Sequence, residues 1–156
     1  MPEITSAAIS DALLAIIGAN GVLHGEDDTA GFLSDWHNRY HGKAHAVVLP
    51  ETTEQVSAIM AYADKNNIVV VPQGGNTGFM GGATPDDTGH SIVLSLKRMN
   101  KIREIDSQNM SMTVEAGCVL QNLQDRADDA GLYFPLNLAA KGSCTIGGNL
   151  GTNAGG

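Results

Sequence analysis

The stretch VVPQGGNTGFMGGATP, from Val70 to Pro85, constrains the fold more than any other part of the chain. An apolar run precedes it, a proline closes it, and five of the nine residues from 74 to 82 are glycine. Glycine loses more conformational freedom on folding than any other residue, and it lets the backbone approach another group closely. This density therefore indicates a loop that wraps closely around a ligand.

Two common phosphate-binding loops do not match this stretch. The GxxxxGK[ST] loop of nucleoside triphosphatases needs a lysine after its second glycine, and neither Lys43 nor Lys141 stands in that pattern. A dinucleotide-binding turn needs GxGxxG followed by a helix. GGNTGFMGG contains no GxG, and the residues ATPDDTGHS that follow it do not favour a helix.

The remaining interpretation is a tight loop between two strands. A flexible linker would be polar throughout, but this loop contains Val71, Phe79 and Met80. Since no helix follows, we expect no helix dipole, and backbone amides alone must bind an anion such as phosphate or pyrophosphate. Asn76 and Thr77 can add side-chain donors.

The residues before the loop predict helices and a βαβ unit. A first helix is predicted from Ser6 to Ile17, and no clear element follows until the apolar strand Ala46 to Leu49. Thr52 and Gln55 then form a capping box for a second helix. Ile68 to Val71 is a run of β-branched residues, typical of a strand buried on both faces. The apolar stripe of the second helix comprises Val56, Ile59, Met60 and Ala63.

The residues after the loop predict a different arrangement. Ser91 to Leu96 is an apolar strand, and Ile102 to Ile105 and Ser111 to Ala116 are short strands with the alternation of an antiparallel sheet. A helix is predicted from Val119 to Ala130, and a helical turn from Ile146 to Leu150. The chain as a whole predicts an α+β fold, in which an α/β lobe packs against a mixed or antiparallel β lobe.

Composition limits the partners and the compartment. The 156 residues carry a formal net charge of −8, which argues against nucleic acid and anionic membrane surfaces. No apolar run approaches the roughly 20 residues that span a bilayer. Two cysteines, Cys118 and Cys144, are too few for a disulfide framework and predict a cytoplasmic compartment. The ending GTNAGG is typical of the middle of a structural unit, so we expect a longer chain.

Neither the histidines nor Cys144 predict a reactive site. His37, His41 and His45 repeat every four residues, as metal ligands on one helix face do. Gly42 interrupts that spacing, so we expect solvated loop histidines and no metal. Cys144 has no recognisable base, so we expect a small residue beside a ligand and no nucleophile.

A second glycine-rich segment, FPLNLAAKGSCTIGGNLGTNAGG, begins at Phe134. Two such segments indicate a long ligand such as FAD. VVPQGGNTGFMGGATP, SIVLSLKRMNKI, VEAGCVL and this segment, in that order, resemble the N-terminal FAD-binding region of FAD-linked oxidases with the vanillyl-alcohol oxidase and p-cresol methylhydroxylase fold. PQGGNTG and PLNLAAKGSCTIGGN are most similar to the D-2-hydroxyglutarate and D-lactate/glycolate dehydrogenase branch. The resemblance covers about Asp35 to Gly156.

The resemblance implies a cofactor site. In the family, the backbone amides of the first loop wrap the FAD pyrophosphate, and the second segment follows the pyrophosphate, the ribityl chain and the flavin ring. Some members attach the flavin through a histidine of this loop, which GGNTG lacks, so non-covalent FAD is implied. The implied cofactor-binding residues are Pro72, Gln73, Gly74, Gly75, Asn76, Thr77, Gly78, Gly81, Gly82, Pro135, Gly142, Ser143, Cys144, Gly147, Gly148, Asn149, Thr152 and Asn153.

The resemblance also implies an activity, the oxidation of a D-2-hydroxy acid to a 2-oxo acid by hydride transfer to flavin. The electron acceptor is an electron-transfer flavoprotein, a quinone or oxygen, and a homodimer is left open. The base and the metal-binding histidines of this branch lie outside this chain, so its catalytic residues are unknown and we expect the fragment alone to be inactive. We expect residues 1–34 to be a lead-in and residues 35–156 an FAD-binding domain that is incomplete at its C-terminus and lacks the substrate domain.

Two other functions stay open at this point. The first is a flavin- or nucleotide-binding module without catalysis of its own. The second is an NAD-type nucleotide domain, which the missing GxG disfavours.

Overall fold

The computed structural model describes residues 5–155 and forms a four-stranded sheet with helices and a two-stranded hairpin with a helix. The helices are α1 (Ser6–Ile17), α2 (Glu26–Leu33), α3 (Thr53–Lys65), α4 (Leu120–Asp129) and α5 (Ile146–Gly151). The strands are β1 (Val22–Leu23), β2 (Ala46–Val48), β3 (Val69–Gln73), β4 (Ser91–Ser95), β5 (Ile102–Asp106) and β6 (Ser111–Val114).

Two helices begin at side-chain caps, of which the sequence predicts the one at Thr52. The hydroxyl of Thr5 accepts an amide of the first turn of α1 at 3.3 Å, and α1 ends at Gly18, whose φ is +75°. The hydroxyl of Thr52 accepts the amide of Gln55 at 3.2 Å at the start of α3. The Gln55 carboxamide accepts the amide of Glu51 at 2.7 Å, one residue before the usual partner in a capping box.

The predicted βαβ unit is confirmed, with an additional strand between its two strands. The strand order is β1-β2-β4-β3, where β4 pairs in parallel with β2 and β3, and β1 pairs antiparallel with β2. α1 and α3 pack against this sheet through their apolar sides. The buried core comprises Ile9, Leu13, Val22, Ala46, Val48, Ile59, Ala63, Ile92 and Leu94.

Two burial predictions are wrong. Ile68 to Val71 does not form a strand buried on both faces, because β3 lies at the sheet edge and Val69 is 57% exposed. The strand with that burial is β4, which has a neighbour on each side and is buried throughout. Met60 belongs to the predicted apolar stripe of α3, which we expect to face the core, but it is 44% exposed. A short apolar pattern in the sequence does not show which strand lies at the edge of a sheet. It also does not show how wide the buried face of a helix is.

The expectation of no clear element between α1 and β2 is also wrong, because β1 and α2 lie there. α2 has the sequence EDDTAGFL, which has no continuous apolar stripe and includes a glycine. Its first turn carries Glu26, Asp27 and Asp28, whose charges stabilise a helix N-terminus. This helix is held in place by tertiary contacts, because it lies beside the glycine loop.

The second group of elements follows the prediction closely. β5 and β6 pair antiparallel, with Ile105 opposite Met112. α4 packs Leu123 with Cys118 and Ile146 beneath the hairpin. Gly131, with a φ of +73°, lies just past the end of α4, directly after the helix predicted from Val119 to Ala130.

Glu115, between the hairpin and α4, makes stability depend on pH. Its carboxylate accepts the Lys101 amide at 2.9 Å and a guanidinium N–H of Arg103 at 3.2 Å. The Lys101 amide, together with Arg103, holds the pKa of Glu115 below its ordinary value of 4.5. The ionised carboxylate therefore stabilises the fold above about pH 4.5, and this contribution is lost as the pH falls through the lowered pKa.

We expect Glu115→Gln to be less stable than the unchanged protein at pH 7, and the gap to narrow in acid. Urea denaturation at pH 7 and pH 3 measures both differences. Glu104→Gln is the control, because Glu104 is exposed on β5. A Glu115→Gln gap of equal size at both pH values would contradict this role of the charge.

Candidate cofactor-binding site

The glycine loop begins where β3 ends, at the carboxyl edge of the parallel strands, and the chain then crosses to the opposite edge, where β4 begins. Ligands of open α/β sheets bind outside the carboxyl edge. A cleft of about 440 Å³ opens there. It is lined by Gly31, Phe32, Gln73, Gly74, Gly75, Asn76, Ser95, Lys97, Asn100, Gly117, Val119, Asn122, Ser143 and Thr145.

The two glycine-rich segments touch each other at this cleft. A Cβ atom at Gly75 would overlap the carbonyl oxygen of Ser143, and one at Gly74 would overlap the hydroxyl of Thr145. Neither glycine has a positive φ. Close approach is therefore the reason for glycine at both positions, and the two separately predicted segments meet at one site.

Backbone hydrogen bonds hold the second segment against the start of α4. The Leu120 amide donates to the Cys144 carbonyl at 3.1 Å, and the Ile146 amide donates to the Cys118 carbonyl at 2.9 Å. These carbonyls and amides are already paired within the protein, so this wall of the cleft is well fixed.

The amides of the glycine loop differ from those amides of the second segment that are paired within the protein. Within residues 5–155, none of the amides from residue 74 to residue 83 donates to a backbone carbonyl or a side-chain oxygen. Ser95 Oγ and Thr145 Oγ1, on two residues that line the cleft, are buried and have no hydrogen-bond partner in the same part of the chain. Each unpaired buried hydroxyl costs about 1–3 kcal/mol. The cleft therefore favours a ligand rich in acceptor oxygens.

These donors fit the diphosphate of FAD. Neutral amides and hydroxyls can hold phosphate oxygens without a cluster of basic side chains, which suits a chain of net charge −8. Lys97 adds a positive charge to the cleft lining, with its ammonium nitrogen 4.4 Å from the ring centre of Phe32. Ser95, at the end of β4, and Thr145, within the second glycine-rich segment, each supply a hydroxyl.

Several of these cleft residues carry no motif of their own. Ser95 and Lys97 lie at the carboxyl end of β4, so the rule that ligands bind at this edge could have identified them. Val119 and Asn122 lie at the first turn of α4 and line the cleft. The Leu120 and Gln121 amides of that turn donate to the Cys144 and Lys141 carbonyls, and the glycine loop itself leads to strand β4 and not to a helix, as predicted.

Gln73 and Asn76 have their side-chain donors engaged by the protein. Gln73 Nε2 donates to the Phe32 carbonyl at 3.0 Å, and Asn76 Nδ2 donates to the Ser34 carbonyl at 2.7 Å. The side-chain donor that the sequence predicted at Asn76 is thus bonded to the end of α2. The backbone amides of both residues remain predicted contacts of the cofactor.

Two other predicted cofactor-binding residues make contacts within the protein. Gly81, with a φ of +71°, packs against the ring of Tyr40. Cys144 is buried, with its sulfur 3.6 Å from the carboxamide nitrogen of Asn149. All the predicted cofactor-binding residues stay predictions. Five of them line the cleft, namely Gln73, Gly74, Gly75, Asn76 and Ser143. Those not among the lining residues are Pro72, Thr77, Gly78, Gly81, Gly82, Pro135, Gly142, Cys144, Gly147, Gly148, Asn149, Thr152 and Asn153.

The loop histidines make separate contacts. The His37 ring stacks on Trp36 with ring centres 3.7 Å apart, and His41 Nε2 pairs with the Asn38 carbonyl at 3.1 Å. Between residues 5 and 155, no three His, Cys, Asp or Glu side chains are grouped so that they could hold a metal ion.

Curated proteins similar to this chain are mostly named for one activity. "Probable D-2-hydroxyglutarate dehydrogenase, mitochondrial" of Oryza sativa subsp. indica is 44% identical over 142 residues, which is 91% of this chain and 25% of that protein. The D-2-hydroxyglutarate dehydrogenase of Xanthomonas citri pv. viticola is 41% identical over 122 residues, 78% of this chain and 25% of that protein. The D-2-hydroxyglutarate–pyruvate transhydrogenase of Saccharomyces cerevisiae is 38% identical over 130 residues, 83% of this chain and 26% of that protein. The chain spans about a quarter of the length of these relatives.

Solved structures share the fold. Alkyldihydroxyacetonephosphate synthase superposes with a TM-score of 0.86 at 19% identity, over 100% of this chain and 33% of its own. p-Cresol methylhydroxylase superposes with a TM-score of 0.75 at 24% identity, over 94% of this chain and 28% of its own. The predicted p-cresol methylhydroxylase-type α+β fold is confirmed.

A family model described as FAD binding domain matches residues 44–156, which include both glycine-rich segments. Over most of its length, therefore, this chain belongs to the FAD-binding domain family, and its cofactor is FAD.

Proposed function

We propose that this chain is the FAD-binding part of an enzyme that oxidises a D-2-hydroxy acid to a 2-oxo acid. The observation that carries the proposal is the cleft, where unpaired loop amides and the hydroxyls of Ser95 and Thr145 match a diphosphate. The names of the rice and Xanthomonas relatives support D-2-hydroxyglutarate as the substrate to test first.

The residues of this chain bind and orient the cofactor. Bound FAD supplies a flavin ring that can accept a hydride. Oxidation of the substrate breaks its Cα–H bond, the hydrogen leaves with both electrons, and the hydroxyl proton passes to a base. We assign no catalytic residue within this chain. Its role is to hold the diphosphate between the glycine loop, Ser95, Lys97 and Thr145, which sets where the flavin lies.

We infer that FAD is held without a covalent bond. The glycine loop has Asn76 at the region where some family members carry a flavin-linked histidine, and the Asn76 carboxamide is bonded to Ser34. FAD should then appear in the supernatant when the holoprotein is denatured and centrifuged.

The electron acceptor and the compartment belong to the longer protein. An electron-transfer flavoprotein, a quinone or oxygen are the expected acceptors, and the name of the yeast relative adds a 2-oxo acid such as pyruvate.

No helix within residues 5–155 has the length and hydropathy to cross a membrane. The rice relative is named as mitochondrial, so a cytoplasmic location rests only on two unpaired, buried cysteines. A homodimer stays open.

A visible spectrum of the purified full-length protein tests the proposal. We expect flavin absorbance near about 450 nm that bleaches when D-2-hydroxyglutarate is added without an electron acceptor, and no bleaching with the L enantiomer. Flavin that binds but is bleached by neither D-2-hydroxyglutarate nor D-lactate would favour the alternative, a flavin-binding module without catalysis.

Ser95→Ala should separate stability from cofactor binding. Ser95 is fully buried and its hydroxyl has no partner within residues 5–155, so its removal should stabilise the apoprotein by about 1 kcal/mol. Loss of a donor to FAD should weaken FAD binding about tenfold. Denaturant unfolding of the apoprotein and titration with FAD measure the two effects.

Ser91→Ala is the matched control at the other end of the same strand. Its hydroxyl donates to the Lys43 carbonyl at 3.3 Å, so we expect a small loss of stability and unchanged FAD affinity. A Ser95→Ala protein that binds FAD as tightly as the unchanged protein would remove Ser95 from the site.

A further inference from the structure

The carbonyl groups at the C-terminal end of α2 are bonded by side chains from far along the chain. Asn76 Nδ2 donates to the Ser34 carbonyl at 2.7 Å and to the Gly31 carbonyl at 3.3 Å. Gln73 Nε2 donates to the Phe32 carbonyl at 3.0 Å. The last carbonyls of a helix have no partner inside the helix, and α2 ends without a basic residue in its last turn. These two carboxamides therefore cap α2.

The same carboxamides determine the path of the glycine loop. Gln73 is 3% exposed, and its Nε2 also donates to the Ala83 carbonyl at 2.7 Å. One side chain thus joins the two ends of the loop to each other and to α2. Asn76 lies inside the loop with a φ of +52°, a conformation that asparagine adopts more readily than most residues.

The end of α2 also forms a wall of the cofactor cleft. Gly31 and Phe32 line it, beside Gln73 and Asn76. The ammonium of Lys97 lies over the Phe32 ring, so a charged side chain of the cleft is supported by this helix. Movement of α2 would therefore shift the glycine loop and Lys97 together.

We propose that Gln73 and Asn76 are positioning residues that hold α2 against the glycine loop, so that residues 26–34 form part of the FAD-binding apparatus. These residues precede the segment 44–156 that matches the FAD-binding family, and all of them lie in the lead-in that the sequence predicts for residues 1–34. The proposal rests on the proposed function in taking the cleft as the diphosphate site. The carboxamide nitrogens are already bonded to α2, so their effect on FAD passes through the position of the loop amides.

Asn76→Gly in the full-length protein tests this arrangement. Glycine keeps the backbone amide and tolerates the positive φ, so only the carboxamide is lost. Asn67→Gly is the matched control, because Asn67 also has a φ of +52° but lies in the exposed turn after α3. The readouts are the dissociation constants of FAD and ADP, and amide hydrogen exchange of peptides covering residues 26–34 in the apoprotein.

We expect Asn76→Gly to weaken FAD and ADP by the same factor, about tenfold for the two hydrogen bonds lost. Exchange in residues 26–34 should be faster in this variant before any ligand is added, and Asn67→Gly should change neither readout. Weaker FAD binding with unchanged exchange in residues 26–34 would make Asn76 a direct ligand and overturn the proposal, as would unchanged FAD affinity. If the unchanged protein bound no FAD, the proposed function would fail, while the exchange comparison would still decide whether Asn76 holds α2.

Discussion

Gly75→Ala is expected to destabilise the protein by about 1–3 kcal/mol and to abolish most FAD binding, because one added methyl group forces the two glycine-rich segments apart. The Cβ atom would overlap the carbonyl oxygen of Ser143. That carbonyl cannot easily move, since the Ser143 and Cys144 amides both donate to the Ala140 carbonyl at 2.8 Å. The gain from a less flexible unfolded chain, about 0.4–1 kcal/mol, is smaller than the cost.

Gly151→Ala provides the control in the second glycine-rich segment. Gly151, at the end of α5, has no heavy atom within 4 Å of its Cβ position and no positive φ, so the variant should match the unchanged protein in stability and flavin content. Denaturant unfolding and the ratio of flavin to protein absorbance measure both variants. Equal flavin content in the two variants would show that the segments do not need this close contact to bind FAD.

Ile59→Ala is expected to cost about 2–5 kcal/mol, the largest effect on stability of any single change considered for this chain. Ile59 is fully buried where α3 meets the sheet, in the cluster that includes Ile9, Leu13 and Ile92. Its loss leaves a cavity that the rigid parallel strands cannot fill. Urea denaturation should show a lower midpoint with an unchanged slope.

Met60→Ala on the same helix tests whether the structure or the sequence pattern predicts the burial of this residue correctly. The sequence placed Ile59 and Met60 in one apolar stripe, but Met60 is 44% exposed. Its replacement should therefore change the free energy of unfolding by no more than about 0.5 kcal/mol, as for most surface positions. Similar losses from the two substitutions would mean that α3 is rotated relative to the arrangement described.

The sequence predicted correctly those helix boundaries that depend on neighbouring residues. The start of α1, the Thr52 cap of α3 and the end of α4 depend on residues within one helical turn, so their sequences predicted those boundaries well. α2 was missed because its stabilising contacts come from elsewhere in the chain. The burial of Val69 was predicted wrongly for a related reason, since strand order decides which strand lies at an edge.

The sequence by itself determined that a glycine-rich loop joins two strands and that a second such segment follows. These two conclusions depend on residue types and spacing along the chain, and the resemblance of both segments to FAD-linked oxidases implied the FAD-binding fold. Only the tertiary structure decided that Gly75 meets Ser143, that the hydroxyls of Ser95 and Thr145 are left without partners, and that α2 is capped from the loop. The hydrogen bonds from Gln73 to Phe32 and from Asn76 to Ser34 join residues 41 and 42 positions apart. No local pattern specifies such pairs, because they form only when packing of the sheet and helices brings distant backbone groups within hydrogen-bond distance.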